Sequence, residues 1–290
     1  MPEINSEKIQ KCRDIYEKNG LNKSAIKLFQ DIIYEYYDTY KINFPWRQTE
    51  DPYHILVSEI MLQQTQVNRV IKKFQEFIGK FPSFHTLADS SLEEVLKAWQ
   101  GLGYNRRAIY LKKCAEIVVD KYEGKLPKDR KSLKDLPGIG DATSASIMAF
   151  AYNKPVNLIE TNIRTLYIYF FLYNDENISD SDIIEFVEKT LDRNNPRKWY
   201  NALMDYGRMI KKNFGNLSRK SKKYTKQKPF KGSDRQIRGI ILSFLLKNGE
   251  TNQKTLLTTL KIDNKRLFRI LNDLKNDGFI TAEANVYKIL

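Results

Sequence analysis

The stretch LKDLPGIGDATSASIMAFAYNKPVNLIETNIRTL, residues 133–166, decides the fold of this chain. At its centre the turn 136–140, Leu-Pro-Gly-Ile-Gly, separates a short polar helical turn from the apolar run 142–152. Glycines leave backbone N–H groups uncovered where a helix begins, and the positive end of the helix dipole attracts anions. The turn therefore predicts a phosphate-binding site that includes Gly138 and Gly140.

A carboxylate, Glu160, follows this turn after about twenty residues, and Arg164 comes one helical turn later. A clamp for a DNA phosphate with an acid beyond it indicates chemistry on a nucleotide. The same pattern is also typical of a helix-turn-helix joint that only packs. The choice between the two rests on the remainder of the chain.

The composition indicates a polyanionic partner. The 290 residues include 49 Lys and Arg against 35 Asp and Glu, which gives a formal charge of +14. Such an excess favours nucleic acid or an acidic membrane surface. The sequence shows neither a transmembrane stretch nor the apolar core of a signal peptide, so we expect a soluble, intracellular protein without a membrane partner. The length predicts two or three structural units.

Metal-binding chemistry has little support in the sequence. The chain contains two cysteines, Cys12 and Cys114, and two histidines, His54 and His85. Their positions do not match the ligand spacing of a zinc site, and two cysteines cannot build a four-cysteine iron–sulfur cluster. We expect reduced, packed thiols, no metal and no cofactor.

The helix that Asp51-Pro52 begins carries the second candidate acid, Glu59, among apolar neighbours. A carboxyl group in such surroundings resists ionisation, which suits a general acid. A partly exposed glutamate in a salt bridge is the alternative. The uncharged segment 63–66, Gln-Gln-Thr-Gln, follows directly, and its amides offer donors and acceptors for the edges of bases.

Two aromatic residues are candidates for contacts with a nucleotide. Trp46 and Arg47 form a possible aromatic–cation pair facing a ligand, although such a pair is more often structural. Tyr104 stands on the glycine-rich turn 101–103 beside basic residues, where a ring can insert between bases. A tyrosine that covers a hydrophobic core is the alternative there.

The hydrophobic spacing is helical throughout the chain before residue 279, which predicts an all-α architecture. Nine basic side chains and no acidic ones lie between residues 211 and 231. We interpret residues 211–232 as a basic linker that follows the domain 1–210. Residues 233–290 predict three short helices and a hairpin, the pattern of a winged helix. This domain suits DNA or protein docking.

Together these features resemble the helix-hairpin-helix DNA glycosylase superfamily, and within it the MutY-like adenine glycosylases. The matching segments are FPWR (44–47), DPY (51–53), SEIMLQQTQV (58–67), GLGY (101–104), LPGIG (136–140) and ALMDYG (202–207). The resemblance covers about residues 25–212. It implies an all-α glycosylase fold of two helical subdomains with a cleft, to which the winged helix is appended.

The resemblance also implies roles for individual residues. Glu59 matches the general acid that protonates the departing adenine, and Asn162 matches a residue that supports the catalytic carboxylate. The other matches concern DNA: Gln64 and Tyr104 correspond to residues that wedge beside the opposite base, Trp46, Arg47 and Thr65 to the pocket for the flipped base, and Gly138 and Gly140 to the phosphate clamp. With them we group Gln63 as a DNA-contact residue.

This chain departs from the family at four places. Glu160 stands where the family has a catalytic Asp, and the added methylene moves the carboxylate by roughly an ångström. Ala142 stands where bifunctional relatives have a Schiff-base lysine, so we expect a monofunctional glycosylase. The four cysteines of the usual iron–sulfur cluster are replaced, so we expect none. The domain that reads 8-oxoguanine is replaced by the winged helix.

Three functions remain open at this point. The first is a DNA-repair glycosylase, most consistent with removing adenine opposite 8-oxoguanine or guanine during base excision repair. The second is a glycosylase that removes thymine or uracil from mismatches with guanine. The third is a non-catalytic protein that only grips DNA. In each case we expect a monomer that binds double-stranded DNA.

Overall fold

The computed structural model describes residues 6–226 and 229–290. Within these ranges the chain folds into helices joined by short loops, with one small sheet near the C-terminus. The helices are α1 Ser6–Asn19, α2 Lys23–Tyr40, α3 Pro52–Leu62, α4 Val67–Lys80, α5 Phe84–Asp89, α6 Leu92–Trp99, α7 Arg106–Tyr122, α8 Arg130–Lys134, α9 Asp141–Phe150, α10 Thr161–Phe171, α11 Asp180–Thr190, α12 Pro196–Phe214, α13 Asp234–Asn248, α14 Gln253–Leu260 and α15 Asn264–Asn276. Two single 3₁₀ turns cover Pro45–Arg47 and Leu217–Lys220. In the described ranges, none of these helices is both long enough and apolar enough to cross a bilayer.

The helices assemble into two compact units that interleave along the chain. Unit I contains the described residues up to Glu50 together with Gly140–Lys226. Unit II contains Asp51–Ile139 together with the described residues beyond Lys226. Glu160 therefore belongs to unit I, and Glu59 belongs to unit II.

Unit I is built around α10, whose residues from Thr165 to Phe171 are all buried. Phe29 of α2 lies at the centre of an aromatic cluster, with ring centroids 4.9 Å from Phe170 and 5.9 Å from Trp199. Edge-to-face pairs at these separations add to the energy of burial. The cluster holds α2 and α12 against the C-terminal end of α10, the helix that Glu160 caps.

Unit II has a core of its own between α3 and α7. Seven of the eleven residues of α3 are buried, and Phe77 of α4 packs edge-on against Trp99 of α6 at 5.9 Å. Asp51 caps α3 by accepting the N–H of Tyr53 at 2.8 Å, and Pro52 stands at the first helical position. The sequence prediction of this helix and of its start is confirmed.

The C-terminal part of unit II has the helix and strand order of a winged helix. A three-stranded antiparallel sheet, in the order β1-β3-β2, combines β1 Thr251–Asn252, β2 Ile280–Glu283 and β3 Val286–Ile289. The sequence predicts the three helices and the hairpin, but not β1. A two-residue strand shows no alternation, and it exists here because β3 supplies its hydrogen bonds.

The segment interpreted as a basic linker is partly folded. α12 continues to Phe214, and Ser221 forms a β-bridge with Ile178, whose N–H donates to Lys220 O at 2.9 Å. Ser218 and Ser221 are buried. Tertiary contacts therefore order the first half of the segment despite its charge, while residues 227–228 lie outside the described residues.

Candidate active site

Glu160 is the N-cap of α10. Its Oε1 accepts the backbone N–H groups of Asn162 at 2.7 Å and Ile163 at 2.8 Å. Glutamate is not among the preferred N-cap residues, because its longer side chain must fold back to reach these donors. Glu160 nevertheless satisfies two of the amides that a helix start leaves unpaired. The carboxylate is consequently held in one position and orientation.

Asn162 completes the immediate surroundings of this carboxylate. Its side-chain Nδ2 donates to Glu160 Oε2 at 3.3 Å, so both carboxylate oxygens are engaged. Burial raises the pKa of Glu160 above its usual value, while the two backbone N–H groups, Arg164 and Lys211 act in the opposite direction. Asn162 thus contacts Glu160 directly, and its role as support for a catalytic acid stays a prediction.

The last residue of the ALMDYG segment explains how α12 approaches this site. Gly207 lies against the first turn of α10, and a Cβ atom built on it would stand 2.1 Å from the carbonyl oxygen of Asn162. Any side chain at position 207 would push that turn away. Gly207 is therefore required for the close packing of α12 on the helix that carries Glu160.

Trp46 and Arg47 lie in the same unit but serve the framework. The two terminal nitrogens of Arg47 donate to the two carboxylate oxygens of Asp205 at 2.8 and 2.9 Å, and Nη1 also reaches Ile42 O. Trp46 is buried and stacks on Phe44 with ring centroids 5.0 Å apart. The structural alternative accounts for these contacts, and a role in a base pocket stays a prediction.

Glu59, the other candidate acid, lies on α3 in unit II. Its neighbours Ser58 and Ile60 are buried, while Glu59 itself is half-buried. The partial exposure of the side chain agrees with the alternative of a partly exposed glutamate as well as with a position beside apolar neighbours. Its role as a general acid stays a prediction.

The C-terminal end of α3 is held by a residue that the sequence analysis did not single out. Arg107 of α7 is 7% exposed, and its Nη1 donates to the carbonyl oxygens of Ile60 and Met61 at 2.9 Å each and of Gln63 at 2.6 Å. These carbonyls are among those that a helix end leaves unpaired. Burial lowers the pKa of Arg107 to about 10, so it keeps its charge at neutral pH.

The same guanidinium joins the two segments that resemble DNA-contact loops. Arg107 Nη2 donates to Thr65 Oγ1 at 2.9 Å and to Gly103 O at 3.1 Å. It also lies over the ring of Tyr104, 5.5 Å from the centroid. The segments 63–66 and 101–104 are therefore brought together around one buried cation. Arg107 lies in the first turn of α7, and nothing local in the sequence indicates that it binds the carbonyls at the end of α3.

Two of the residues assigned to the wedge share an unusual backbone. Gln64 has φ +54° and Tyr104 has φ +48°, values in the left-handed region that residues other than glycine seldom adopt. Such conformations persist where the surrounding structure enforces them, and they concentrate at functional sites. Gln64 is exposed and Tyr104 is half-exposed, so both are within reach of a ligand.

The turn 136–140 contains a glycine with a left-handed backbone. Gly138 has φ +81°, and a Cβ atom there would come within 3.0 Å of Tyr110 Cβ. Its carbonyl accepts Gln63 Nε2 at 3.3 Å, which ties the turn to the glutamine segment. Gly140 is the N-cap of α9 and has no side chain to cover the first turn. The boundary between the two units falls between Ile139 and Gly140.

The structure groups the candidate residues into two sets. Unit I holds Trp46, Arg47, Gly140, Glu160 and Asn162, and unit II holds Glu59, Gln63, Gln64, Thr65, Tyr104 and Gly138. Within unit I, Glu160 and Asn162 are in contact. Within unit II, Gln63, Thr65 and Tyr104 meet around Arg107.

The two cysteines are the residues whose chemistry would first be considered for a metal centre. The thiols of Cys12 and Cys114 are buried, and burial raises the pKa of each to about 12. They are therefore protonated and packed. Across residues 6–226 and 229–290, no group of three His, Cys, Asp or Glu side chains is arranged to hold a metal ion.

Comparison with known proteins identifies the family. Residues 57–193 match the model of the HhH-GPD superfamily base excision DNA repair proteins. A thymine/uracil-DNA glycosylase of Methanothermobacter thermautotrophicus is 33% identical over 187 residues, which are 63% of this chain and 85% of that protein. A thermostable thymine-DNA glycosylase of known structure superposes with a TM-score of 0.58 at 30% identity, covering 63% of this chain and 85% of that one.

An adenine DNA glycosylase of Buchnera aphidicola (subspecies Baizongia pistaciae) is 35% identical over 191 residues. The match spans 64% of this chain but only 54% of that relative, so the chain covers about half the length of the adenine glycosylase. The resemblance and the helical fold class inferred from the sequence are confirmed. The chain belongs to the HhH-GPD superfamily of base excision DNA repair proteins.

Proposed function

We propose that this protein is a DNA glycosylase that hydrolyses the N-glycosidic bond of a mismatched base in double-stranded DNA. The observation that carries the proposal is the fixed carboxylate of Glu160, which two backbone amides and Asn162 hold at the start of α10. A carboxylate fixed in this way is pre-organised to face positive charge.

The chemistry requires such a group. The bond between C1′ and the base breaks with development of positive charge on the sugar ring, and a nearby carboxylate stabilises that charge. Water then adds its hydroxide to C1′ and gives up a proton, while the departing base takes a proton on nitrogen. Glu160 fills the role of the carboxylate in this proposal, and it keeps that role as long as it is ionised.

The second acid supports adenine as the base that is removed. Adenine leaves well only when its ring is protonated, and Glu59 on the apolar helix α3 is suited to give that proton. The 35% identity with an adenine glycosylase supports the same assignment. The proposed substrate is adenine opposite 8-oxoguanine or guanine.

Thymine or uracil opposite guanine is the second candidate. The chain spans 85% of a thymine/uracil-DNA glycosylase at 33% identity, whereas it spans 54% of the adenine enzyme. A pyrimidine leaves as an anion that its own carbonyl groups stabilise. Its release therefore depends less on an acid at position 59.

A panel of duplexes distinguishes the two candidates. Each duplex carries one mismatch and is incubated with the parent protein, Glu59→Gln or Glu160→Asp. Alkali treatment then cleaves the strand at abasic sites, which are counted. The proposal predicts release of adenine by the parent and its loss in Glu59→Gln. Release of thymine or uracil that survives Glu59→Gln supports the second candidate. No release by the parent or by Glu160→Asp favours a protein that only grips DNA.

We also propose that the protein is monofunctional and works as a monomer without an iron–sulfur cluster. Ala142 lies in the first turn of α9 and has no amine that could form a Schiff base with the sugar. Strand cleavage trapped by borohydride at a lysine would contradict the first part. Bound iron with the visible absorbance of a cluster would contradict the absence of a cluster. A dimer in light scattering would contradict the monomer.

A further inference from the structure

The winged-helix domain contacts Tyr104, the residue that resembles a DNA wedge. Arg235 of α13 donates from Nη1 to the Tyr104 hydroxyl at 2.6 Å. Its guanidinium also lies over the tyrosine ring, 5.2 Å from the centroid. Both residues belong to unit II. The sequence gave Tyr104 no partner in the C-terminal domain.

The contact completes a set of restraints on this one side chain. The Tyr104 carbonyl accepts the backbone N–H of Arg107 at 2.9 Å, which holds the left-handed backbone at φ +48°. The guanidinium of Arg107 lies 5.5 Å from the ring centroid. Arg107 thus restrains the backbone and one part of the ring, and Arg235 restrains the hydroxyl end. The second restraint comes from a different domain.

A second contact joins the same two regions. Asp277, at the end of α15, accepts hydrogen bonds from Arg106 of α7 at 2.5 Å and from Arg238 of α13. Burial raises the pKa of Asp277, but the two arginines outweigh it and lower the pKa below its usual value. Arg238 is one helical turn beyond Arg235, so both contacts come from one face of α13.

The basic residues of α15 have partners of a different kind. Arg266 and Arg269 of α15 both pair with Asp234, at 2.8 and 2.7 Å. Both arginines are therefore already partnered within the domain. In contrast, Arg235 is directed to the wedge residue. The contacts of Arg235 thus join the winged-helix domain to Tyr104, which follows the turn 101–103.

We propose that Arg235 is a positioning residue for Tyr104, through which the winged-helix domain prepares the wedge that fills the gap beside an extruded base. The proposal rests on the proposed function. A ring that is already restrained loses less conformational entropy when it enters the base stack. Arg235 therefore favours extrusion at a mismatch and contributes little to binding of matched DNA.

The test compares Arg235→Ala, Tyr104→Phe and the double variant with the parent. Duplexes carrying 2-aminopurine in place of the target adenine, opposite guanine, report extrusion by fluorescence and affinity by titration, and matched duplexes serve as the reference. Arg269→Ala is the matched control, because it removes a cation from the same domain without a contact to Tyr104. Thermal unfolding of each variant shows whether its fold is retained.

We expect Arg235→Ala to lose about tenfold in affinity for the mismatch, equal to about 1.4 kcal/mol, with a weaker fluorescence rise. Its affinity for matched DNA and its melting temperature stay close to those of Arg269→Ala. In the Tyr104→Phe background, Arg235→Ala lowers the affinity for the mismatch much less, because the hydroxyl acceptor is gone.

Three results would overturn the inference. Equal losses on matched and mismatched DNA, with a reduced salt dependence, mean that Arg235 binds a phosphate instead. If Arg235→Ala lowers the mismatch affinity as much in the Tyr104→Phe background as in the parent, Arg235 does not act through the Tyr104 hydroxyl. A parent protein that binds both duplexes equally has no wedge to position. Failure of base release with intact mismatch binding and fluorescence contradicts the proposed function alone.

Discussion

At the scale of single residues, Glu160 shows how a longer side chain serves as an N-cap. The resemblance to the MutY-like glycosylases implies Asp at this place, and an aspartate reaches the amides of the first turn with a shorter chain. Glu160 reaches the same two amides, at 2.7 and 2.8 Å. Glu160 therefore supplies the helix cap with its longer side chain.

The raised pKa of Glu160 has a consequence for stability. Between the usual glutamate value and this raised value, the folded protein binds more protons than the unfolded chain. The free energy of unfolding of the parent therefore falls as pH rises through that interval. Glu160→Gln keeps an oxygen for the cap but does not titrate, so we expect its melting temperature relative to the parent to rise over the same interval.

Thermal unfolding from acidic to neutral pH measures this difference. Glu17→Gln, on the exposed side of α1 in the same unit, is the matched control and is expected to show no such trend. A difference between Glu160→Gln and the parent that stays constant with pH would contradict the prediction.

Sequence reasoning found Glu160 and Glu59 because carboxylates near apolar runs are conspicuous. It missed Arg107 and Gly207, which position the candidate residues. The function of Arg107 depends on carbonyl groups that α3 presents in space, and the function of Gly207 depends on the path of α10. Neither relation appears as a local pattern in the sequence.

At the scale of elements, the junction of α10 and α12 is sensitive to one added methyl group. In Gly207→Ala the new Cβ would meet the Asn162 carbonyl at 2.1 Å, so the first turn of α10 has to move. Overpacking of this kind costs about 1–3 kcal/mol. We expect a lower free energy of unfolding and, with Glu160 displaced, slower base release.

Gly239→Ala is the matched control for this variant. Gly239 lies inside α13 with no atom within 4 Å of the added Cβ, and alanine favours a helix more than glycine does, by up to about 1 kcal/mol. Denaturant unfolding should find this variant unchanged or more stable. Equal effects of the two substitutions would contradict the packing argument.

The end of α3 depends on Arg107 in a similar way. Arg107→Ala leaves the carbonyls of Ile60, Met61 and Gln63 without their buried donor, and a buried acceptor left unsatisfied costs about 1–3 kcal/mol. Denaturant unfolding of Arg107→Ala measures the loss. Lys113→Ala, exposed on the same helix, should stay within about 0.5 kcal/mol of the parent.

Helical spacing predicted most elements because amphipathic helices show their buried face locally. The sequence interpretation of Asp51-Pro52 as the start of a helix agrees with α3. It failed for β1, which is defined by its pairing with β3, and for the first half of the basic segment, which buried serines anchor. Both depend on partners that are distant in the sequence.

At the scale of the whole molecule, the interleaving of the two units was not predictable from local patterns. The described residues before Asp51 fold with Gly140–Lys226, so unit I is made of two distant parts of the chain. No change in composition marks residue 50 or residue 140. The winged-helix domain was predicted from its pattern, but its contact with Tyr104 was not.

The net charge of +14 predicts a salt-dependent affinity for DNA. A protein that neutralises several phosphates releases counterions, and its affinity falls by about a thousandfold or more between about 50 and 200 mM salt. Fluorescence anisotropy with a matched duplex measures this slope. An affinity that does not change with salt would contradict binding through the phosphate backbone.

The most direct measurement of the central claim is the single-turnover rate of base release by Glu160 variants at saturating enzyme. If the fixed carboxylate stabilises the charge on the sugar, Glu160→Gln releases the base at least about a hundredfold more slowly than the parent while binding the mismatch equally well. Glu160→Asp, which keeps the charge and the cap, retains release. Release by Glu160→Gln at the rate of the parent would contradict the claim.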